Sequence, residues 1–290
     1  MIFIKKFGPY LALCSGILAL SLSSLFIRWA NAPGTVTSFY RMMIAGLVIT
    51  PFFFRHINSG TTFSKKLIVL PLLGGLFTAL DHSVWSTAIG MTKVANATLL
   101  NNIAPLWVAL FAVLILRERL GRKFWVGLVF TLAGAGVVLG NDLIMNPHLS
   151  SGDILALASS LFYAGYFLVT QRARQKLDTL TYIYLVIVTC SAILLGINLV
   201  LGKPLTGYPS QTYLAFLGAA LISQIIGYFS VAYALGHLPA AVVSPTMIAQ
   251  PVLTALLAIP LIGEPLLTSQ WLGGLAVLAG IYLVNRSQPG

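Results

Sequence analysis

Charge is scarce in this chain: only 8% of its 290 residues are Asp, Glu, Lys or Arg, and just six are acidic. With 58% hydrophobic residues and a mean hydropathy of +0.93, it has too little polar surface to clothe a soluble globule of this length. Cysteine is scarce too. Cys14 and Cys190 both fall inside apolar runs, which excludes a disulfide framework and offers no metal-ligand spacing. No P-loop, GxSxG elbow, HExxH pair or paired-carboxylate constellation occurs, so ATP does not drive the protein directly and no enzyme is expected. An integral-membrane lipid-modifying enzyme, the alternative of a different class, needs His, Asp or Cys clustered at one membrane interface, and no such cluster is present. No cofactor and no metal are expected.

Long apolar runs fill the space that charge leaves. About 20 apolar residues cross the roughly 30 Å of hydrocarbon as a helix, and the runs are too long and too apolar for barrel strands. Ten are read, at about 8–28, 35–54, 67–90, 94–116, 122–140, 153–171, 179–201, 212–235, 240–262 and 267–285. The expectation is an all-α polytopic membrane protein with ten transmembrane helices, its partner the lipid bilayer. The opening "MIFIKK" resembles a signal-peptide start, but the run behind it is long and lacks a small-residue cleavage site, so it is read as a retained helix.

A net charge of +11 is distributed as a topology signal, not as a nucleic-acid patch. With the amino terminus inside, thirteen lysines and arginines fall on the inner side and only Arg28, Lys93 and Lys203 on the outer, Arg41 remaining within a span. That asymmetry puts both termini of this multi-pass chain in the cytoplasm. Asp142, Asp153 and Glu264 fall outside, although acids weigh little in that rule.

The sequence also repeats itself. Shifting Ala88–Val138 by 146 residues onto Ala234–Val284 gives 15 identities in 51 positions without a gap. They include Gly90/Gly236, Pro105/Pro251, Glu118/Glu264, Trp125/Trp271 and Gly134/Gly280. A weaker match at a shift of 144 pairs Arg28 with Arg172 and Tyr40 with Tyr184. Two repeats are therefore expected, 1–146 and 147–290. Five spans each is an odd number, so the second copy enters the membrane inverted, the architecture of many secondary transporters with a midplane site.

The paired segments "ATLLNNIAPLWVALFAVLILRERLGRKFWVGLVFTLAGAGVVL" and "AAVVSPTMIAQPVLTALLAIPLIGEPLLTSQWLGGLAVLAGIYLV" carry the same order of proline, apolar run, glutamate, tryptophan and Ala-Gly. In this they resemble the EamA-type ten-helix branch of the drug/metabolite transporter superfamily, and "FYRMMIAGL" is similar to that branch's second helix with its arginine. The resemblance spans essentially the whole chain. It implies an inner-membrane carrier that exports amino acids or other small metabolites by alternating access. A multidrug or cation exporter of the same fold is the alternative.

Within the spans, Arg41 and Asp81 are the two plainly charged side chains, and such groups are costly and functional by default. At 1.5 Å per residue Arg41 lies roughly 9 Å, and Asp81 roughly 13 Å, below the outer ends of their antiparallel helices. Two readings stand side by side: a buried Arg41–Asp81 ion pair with His82 nearby, or Asp81 as a proton carrier or counter-ion for a substrate amine. His82 is read first as a satisfied core histidine.

Helical spacing groups further positions. Thr78, Asp81 and Trp85 share one face; Thr98, Asn101 and Pro105 share another, with Asn102 beside them; Gln224, Tyr228, Ser244, Met247 and Gln250 are on helices 8 and 9; Ser159, Tyr163 and Tyr166 are on helix 6. Together they form a candidate substrate cavity, and singly they serve as hydrogen-bonding glue between helices. Mixed amide, hydroxyl and aromatic groups suit a small zwitterionic or amphipathic solute. Pro105 and Pro251 are the candidate hinges. Glu118 and Glu264 are read as caps of the helices that follow them. The glycines at 133–136 and 273–274 permit close helix contact and leave a homodimer open.

Overall fold

A computed structural model of the chain describes residues 2–59, 65–92, 94–115, 117–139, 150–262 and 268–287. Lys93, Asp142 and Glu264 lie outside the described residues. Among those described the protein is all-helical, in ten helical segments. They are α1 (Ile2–Ser21 and Ser23–Ala30), α2 (Gly34–Asn58), α3 (Val69–Ile89, entered through a 3₁₀ turn Lys65–Ile68), α4 (Val94–Asn101 and Ala104–Leu114) and α5 (Arg122–Leu139). The second set is α6 (Ser151–Arg174), α7 (Thr179–Val200), α8 (Ser210–Gly218, Ala219–Tyr228 and Phe229–Leu235), α9 (Ala240–Thr246 and Ala249–Ile262) and α10 (Thr268–Arg286). Among the described residues, seven helices are long and apolar enough to cross a membrane.

Boundaries differ from the apolar runs mostly where polar residues prolong a helix. The α2 helix runs on through Arg55, His56 and Asn58, and α6 ends on Arg172 and Arg174. Basic residues in a last turn face the negative end of the helix dipole, so the helix persists after hydrophobicity stops. Asn31, at a left-handed φ of 45°, closes α1 and lets the chain turn back into α2.

The repeat is visible in the breaks. The α4 helix is interrupted at Asn102–Ile103 and resumes at Ala104; α9 is interrupted at Met247–Ile248 and resumes at Ala249. Each restart places proline in a first turn, Pro105 and Pro251, where its missing N–H is no loss. The interruption therefore falls just before the proline instead of bending the helix around it.

The inversion is visible where α5 meets α10. A Cβ added to Gly134 would lie 2.6 Å from the Gly273 carbonyl oxygen, and one on Gly127 would lie 2.8 Å from that of Gly280. Position 127 rises to 134 as its partner falls from 280 to 273, so the two helices run antiparallel. Because Gly127 and Gly134 are the repeat equivalents of Gly273 and Gly280, each glycine faces the equivalent of the other. The two copies are thus inverted relative to each other at this contact.

The chain divides into two compact units, and each draws on both halves of the sequence. One comprises residues 1–86 and 165–238, the other 87–164 and 239–290. In the first, α2 packs along α7, and α1 packs against α8. Gly74 and Gly75 bring α3 onto Tyr182, Val186 and Thr189 of α7, and Gly227 lets Leu20 approach α8. Thr35 and Asn198 clamp α2 to α7: the threonine hydroxyl donates to Oδ1 at 2.7 Å, and Asn198 Nδ2 donates to the Thr35 carbonyl at 3.1 Å. In the second unit, α5 and α10 are the dominant packed pair, with Phe124, Leu128 and Val284 fully buried. Cys190 is buried in the first unit, whereas Cys14 lies on its exposed surface.

Candidate functional site

A lone arginine inside an apolar helix must find partners for several N–H groups, and those around Arg41 come from two irregular stretches of backbone. The α1 helix breaks at Leu22, where Ser21 turns its hydroxyl onto the Leu18 carbonyl at 2.7 Å. The next residue, Ser23, accepts from Arg41 Nη1 at 3.0 Å. Across the site, Ala219–Tyr228 of α8 winds as a π-helix, a wider coil that recurs at functional sites. Its Gln224 offers Oε1 to Arg41 Nε at 3.0 Å, and one turn on the Tyr228 ring lies with its centroid 5.1 Å from the guanidinium carbon. A charged hydrogen bond is worth about 1.5–3 kcal/mol, and a desolvated cation–π contact about 2 kcal/mol. Arg41 itself is only 6% exposed.

Asp81 and His82 belong to the same compact unit, each 7% exposed on α3. The charges of Arg41 and Asp81 both reach the Cys190 thiol and the Tyr228 hydroxyl, and the charge of Arg41 reaches His82. His82 meets Tyr228 ring to ring at 6.5 Å in an edge-on arrangement, and Tyr166 meets the same tyrosine at 5.7 Å. His82 and Tyr228 are equivalent positions of the two repeats, as are Thr78 and Gln224. The Thr78 hydroxyl donates along its own helix to the Gly74 carbonyl at 2.8 Å.

His82 is not a satisfied core histidine: its Nδ1 is buried with no hydrogen-bond partner among the described residues, and so is Nε1 of Trp85 one turn further along α3. Ordinary packing does not account for the pair, because an unmet buried polar atom costs about 1–3 kcal/mol.

The remaining candidates belong to the second unit. Asn101 Nδ2 donates to Ser159 Oγ at 2.8 Å, tying α4 to α6. Asn102 Nδ2 donates to the Thr98 carbonyl at 2.8 Å, which also accepts the Asn102 backbone N–H at 3.0 Å. Ser244 turns back on the Ala240 carbonyl at 2.7 Å. Tyr163 and Gln250 are half-buried, and Met247 is buried. Pro105 and Pro251 are buried at the restarts of their helices. Glu118 donates its backbone N–H to the Ala112 carbonyl and lies in a groove of about 220 Å³ with Arg119, Gly121 and Phe124.

Sequence reasoning missed Ser23 and the π-helical winding. The run "SLSS" at 21–24, three serines within four residues, carries the signal for the first. At one polar end of the first unit, His56 Nε2 lies 3.3 Å from Asp178 Oδ1, which also caps α7 by accepting from the Thr181 N–H at 2.9 Å. Burial pushes the Asp178 carboxyl up, but the bonds from Thr181 and the adjacent His56 outweigh it and hold the group below its ordinary value.

The model of the EamA-like transporter family matches twice, over residues 7–140 and 150–286. A protein of Archaeoglobus fulgidus named an uncharacterized transporter is 25% identical over 283 residues, covering 97% of both chains. The pseudopaline exporter CntI of Pseudomonas aeruginosa is 27% identical over 197 residues, covering 65% of this chain and 66% of its own. One solved crystal structure superposes with a TM-score of 0.79 at 19% identity, covering 96% of each chain, a likeness of fold.

Proposed function

Because the chain belongs to the EamA-like transporter family, we propose that it is a secondary carrier exporting a small zwitterionic metabolite, such as an amino acid, across the inner membrane by alternating access. It is a multi-pass membrane protein of a transporter family, with a small-molecule substrate, not an enzyme. The finer reading assigns the cluster around Arg41 and Asp81 to the solute, with Asp81 as the coupling group for protons. Both termini are placed in the cytoplasm by the distribution of lysine and arginine. The inverted repeats 1–146 and 147–290, each contributing to both compact units, supply the near-equivalent states between which the carrier alternates, and Pro105 and Pro251 are its hinges.

The observation that carries the reading is the burial of Arg41, hydrogen-bonded to Gln224 and Ser23 and stacked on Tyr228, in one compact unit with the buried Asp81 and His82. Buried charge in a membrane helix is expensive, and groups of both signs suit a solute that carries both. The name of CntI, a pseudopaline exporter, supports outward transport. A buried guanidinium makes a purely cationic drug the weaker cargo.

The test is flux into proteoliposomes of the purified protein, with amino acids, nucleosides and cationic drugs supplied with and without a pH gradient. Saturable, gradient-stimulated flux of an amino acid is the expected result, and flux of none of the three classes overturns the proposal. Asp81→Asn is expected to abolish gradient-driven flux while leaving exchange; unchanged gradient dependence removes Asp81 from coupling.

A further inference from the structure

We infer that His82 and Trp85 are direct contacts for the carboxylate end of the transported solute, an inference that rests on the carrier reading above and assigns a chemical group to its site. The two residues stand at i and i+3 on α3, hence on one face of the helix about one turn apart. Their Nδ1 and Nε1 atoms are buried and lack a hydrogen-bond partner among the described residues, although every neighbouring hydroxyl on the helix is engaged: Ser83 with the Ala79 carbonyl at 2.6 Å and Ser86 with the His82 carbonyl at 2.5 Å. His82 is 7% exposed, so bulk water does not reach it freely. Two such orphans on one face are the mark of a site whose partner arrives from outside the protein.

The chemistry of the partner follows from the atoms. An indole Nε1–H donates and cannot accept, so the solute presents an oxygen acceptor to Trp85. A neutral imidazole carrying its proton on Nδ1 is a second donor one turn away. Arg41 and His82 both meet the Tyr228 ring, so the guanidinium's charge lies near His82 and favours an anion there. Two N–H donors beside a guanidinium match the two oxygens of a carboxylate and mismatch an amine. A free-standing pair of ordered waters is the competing occupant, and it is distinguishable because waters on a structural site stabilise the empty protein.

The experiment measures ligand-induced shifts in the melting midpoint of the purified, full-length protein. The probes are the twenty standard L-amino acids, each against its decarboxylated amine. The wild type is expected to be shifted by at least one amino acid and not by the matching amine. Trp85→Phe removes the donor and keeps the ring; His82→Phe removes both ring nitrogens. Each is expected to leave the melting midpoint of the empty protein unchanged or higher, and to weaken the amino-acid response about tenfold or more. A lowered midpoint with unchanged amino-acid affinity assigns the atoms to structural water and overturns the inference. Equal response to acid and amine overturns it as well. Neither of those results touches the carrier reading, which fails only if vesicle flux is absent for every solute class.

Discussion

The unit of residues 1–86 and 165–238 and the unit of residues 87–164 and 239–290 bury different things. In the first, the buried polar groups include Arg41, Asp81, His82 and Gln224, in the middle of helices. In the second, the one charged residue buried among those described is Asp153, which sits in the first turn of α6 and closes a capping arrangement with Ser150 at 2.8 Å and Thr92 at 2.7 Å. Glycine also meets backbone there, between α5 and α10. Lipid tails are as apolar as leucine, so helices in a bilayer associate through close packing or through polar bonds rather than through hydrophobic burial. Both units pack closely at glycines, Gly75 against Val186 in the first as Gly134 against Gly273 in the second, but among the described residues only the first buries charge in mid-helix.

The comparison breaks most directly at Arg41. Arg41→Met removes two charge-assisted hydrogen bonds and the stacking on Tyr228, and it is expected to abolish transport and cost about 3 kcal/mol of stability. Proteoliposome flux and the thermal midpoint read the two effects. Arg41→Lys is not conservative here, since an ammonium cannot address Gln224 and Ser23 with a planar fork.

The opposite break lies in the second unit. Gly134→Ala forces a methyl against the Gly273 carbonyl and is expected to cost about 1–3 kcal/mol, lowering the midpoint by several degrees. Solute selectivity should stay unchanged, because no polar group of the candidate site moves. A change in selectivity would contradict the division of labour.

Two further substitutions sharpen the comparison. Tyr228→Leu deletes the ring under the guanidinium and should reduce transport about tenfold, whereas Tyr228→Phe keeps the ring and most of the activity. Asp178→Ala removes the α7 cap and the pairing with His56, at about 1 kcal/mol near neutral pH. The sign of its pH dependence is set by a carboxyl held below its ordinary value of 3.8. The stabilisation is fully present above that value and is lost as the pH falls through the lower, folded value, so the wild-type advantage should vanish only in strong acid. A pH series of melting curves for both proteins checks this.

The smallest effect is expected at Asn101→Ala. Its bond to Ser159 is one interhelical contact of about 0.6 kcal/mol, and flux should fall by less than about threefold.

Much of this was legible in the residues, for physical reasons that differ from place to place. The ten segments followed from apolar length, and the inversion from an odd number of spans in each repeat; the facing glycines of α5 and α10 then supplied its geometry. The prolines marked where α4 and α9 are irregular, but not that the breaks precede them, because a proline is compatible with either a kink or a first turn. Gln224 and Tyr228 were grouped with the polar positions by helical spacing. Their common approach to Arg41 follows from that i, i+4 spacing, whereas the π-helical winding of α8 itself left no signal in the periodicity. Ser23 was hidden in a helix read as continuous, although the α1 break beside it is what presents its hydroxyl. The interleaving of the compact units was hidden for a simpler reason. Repeats are read along the chain, whereas packing joins segments distant in it.

The central claim is that the first unit handles the solute while the second holds the helices. It is tested most directly by amino-acid flux in proteoliposomes of equal protein content, comparing the wild type with Gln224→Leu and Asn101→Ala. Gln224→Leu, which removes the acceptor of Arg41 Nε, is expected to lower flux by about tenfold or more, and Asn101→Ala by less than about threefold. Equal losses in the two variants, or a greater loss from Asn101→Ala, would contradict the account.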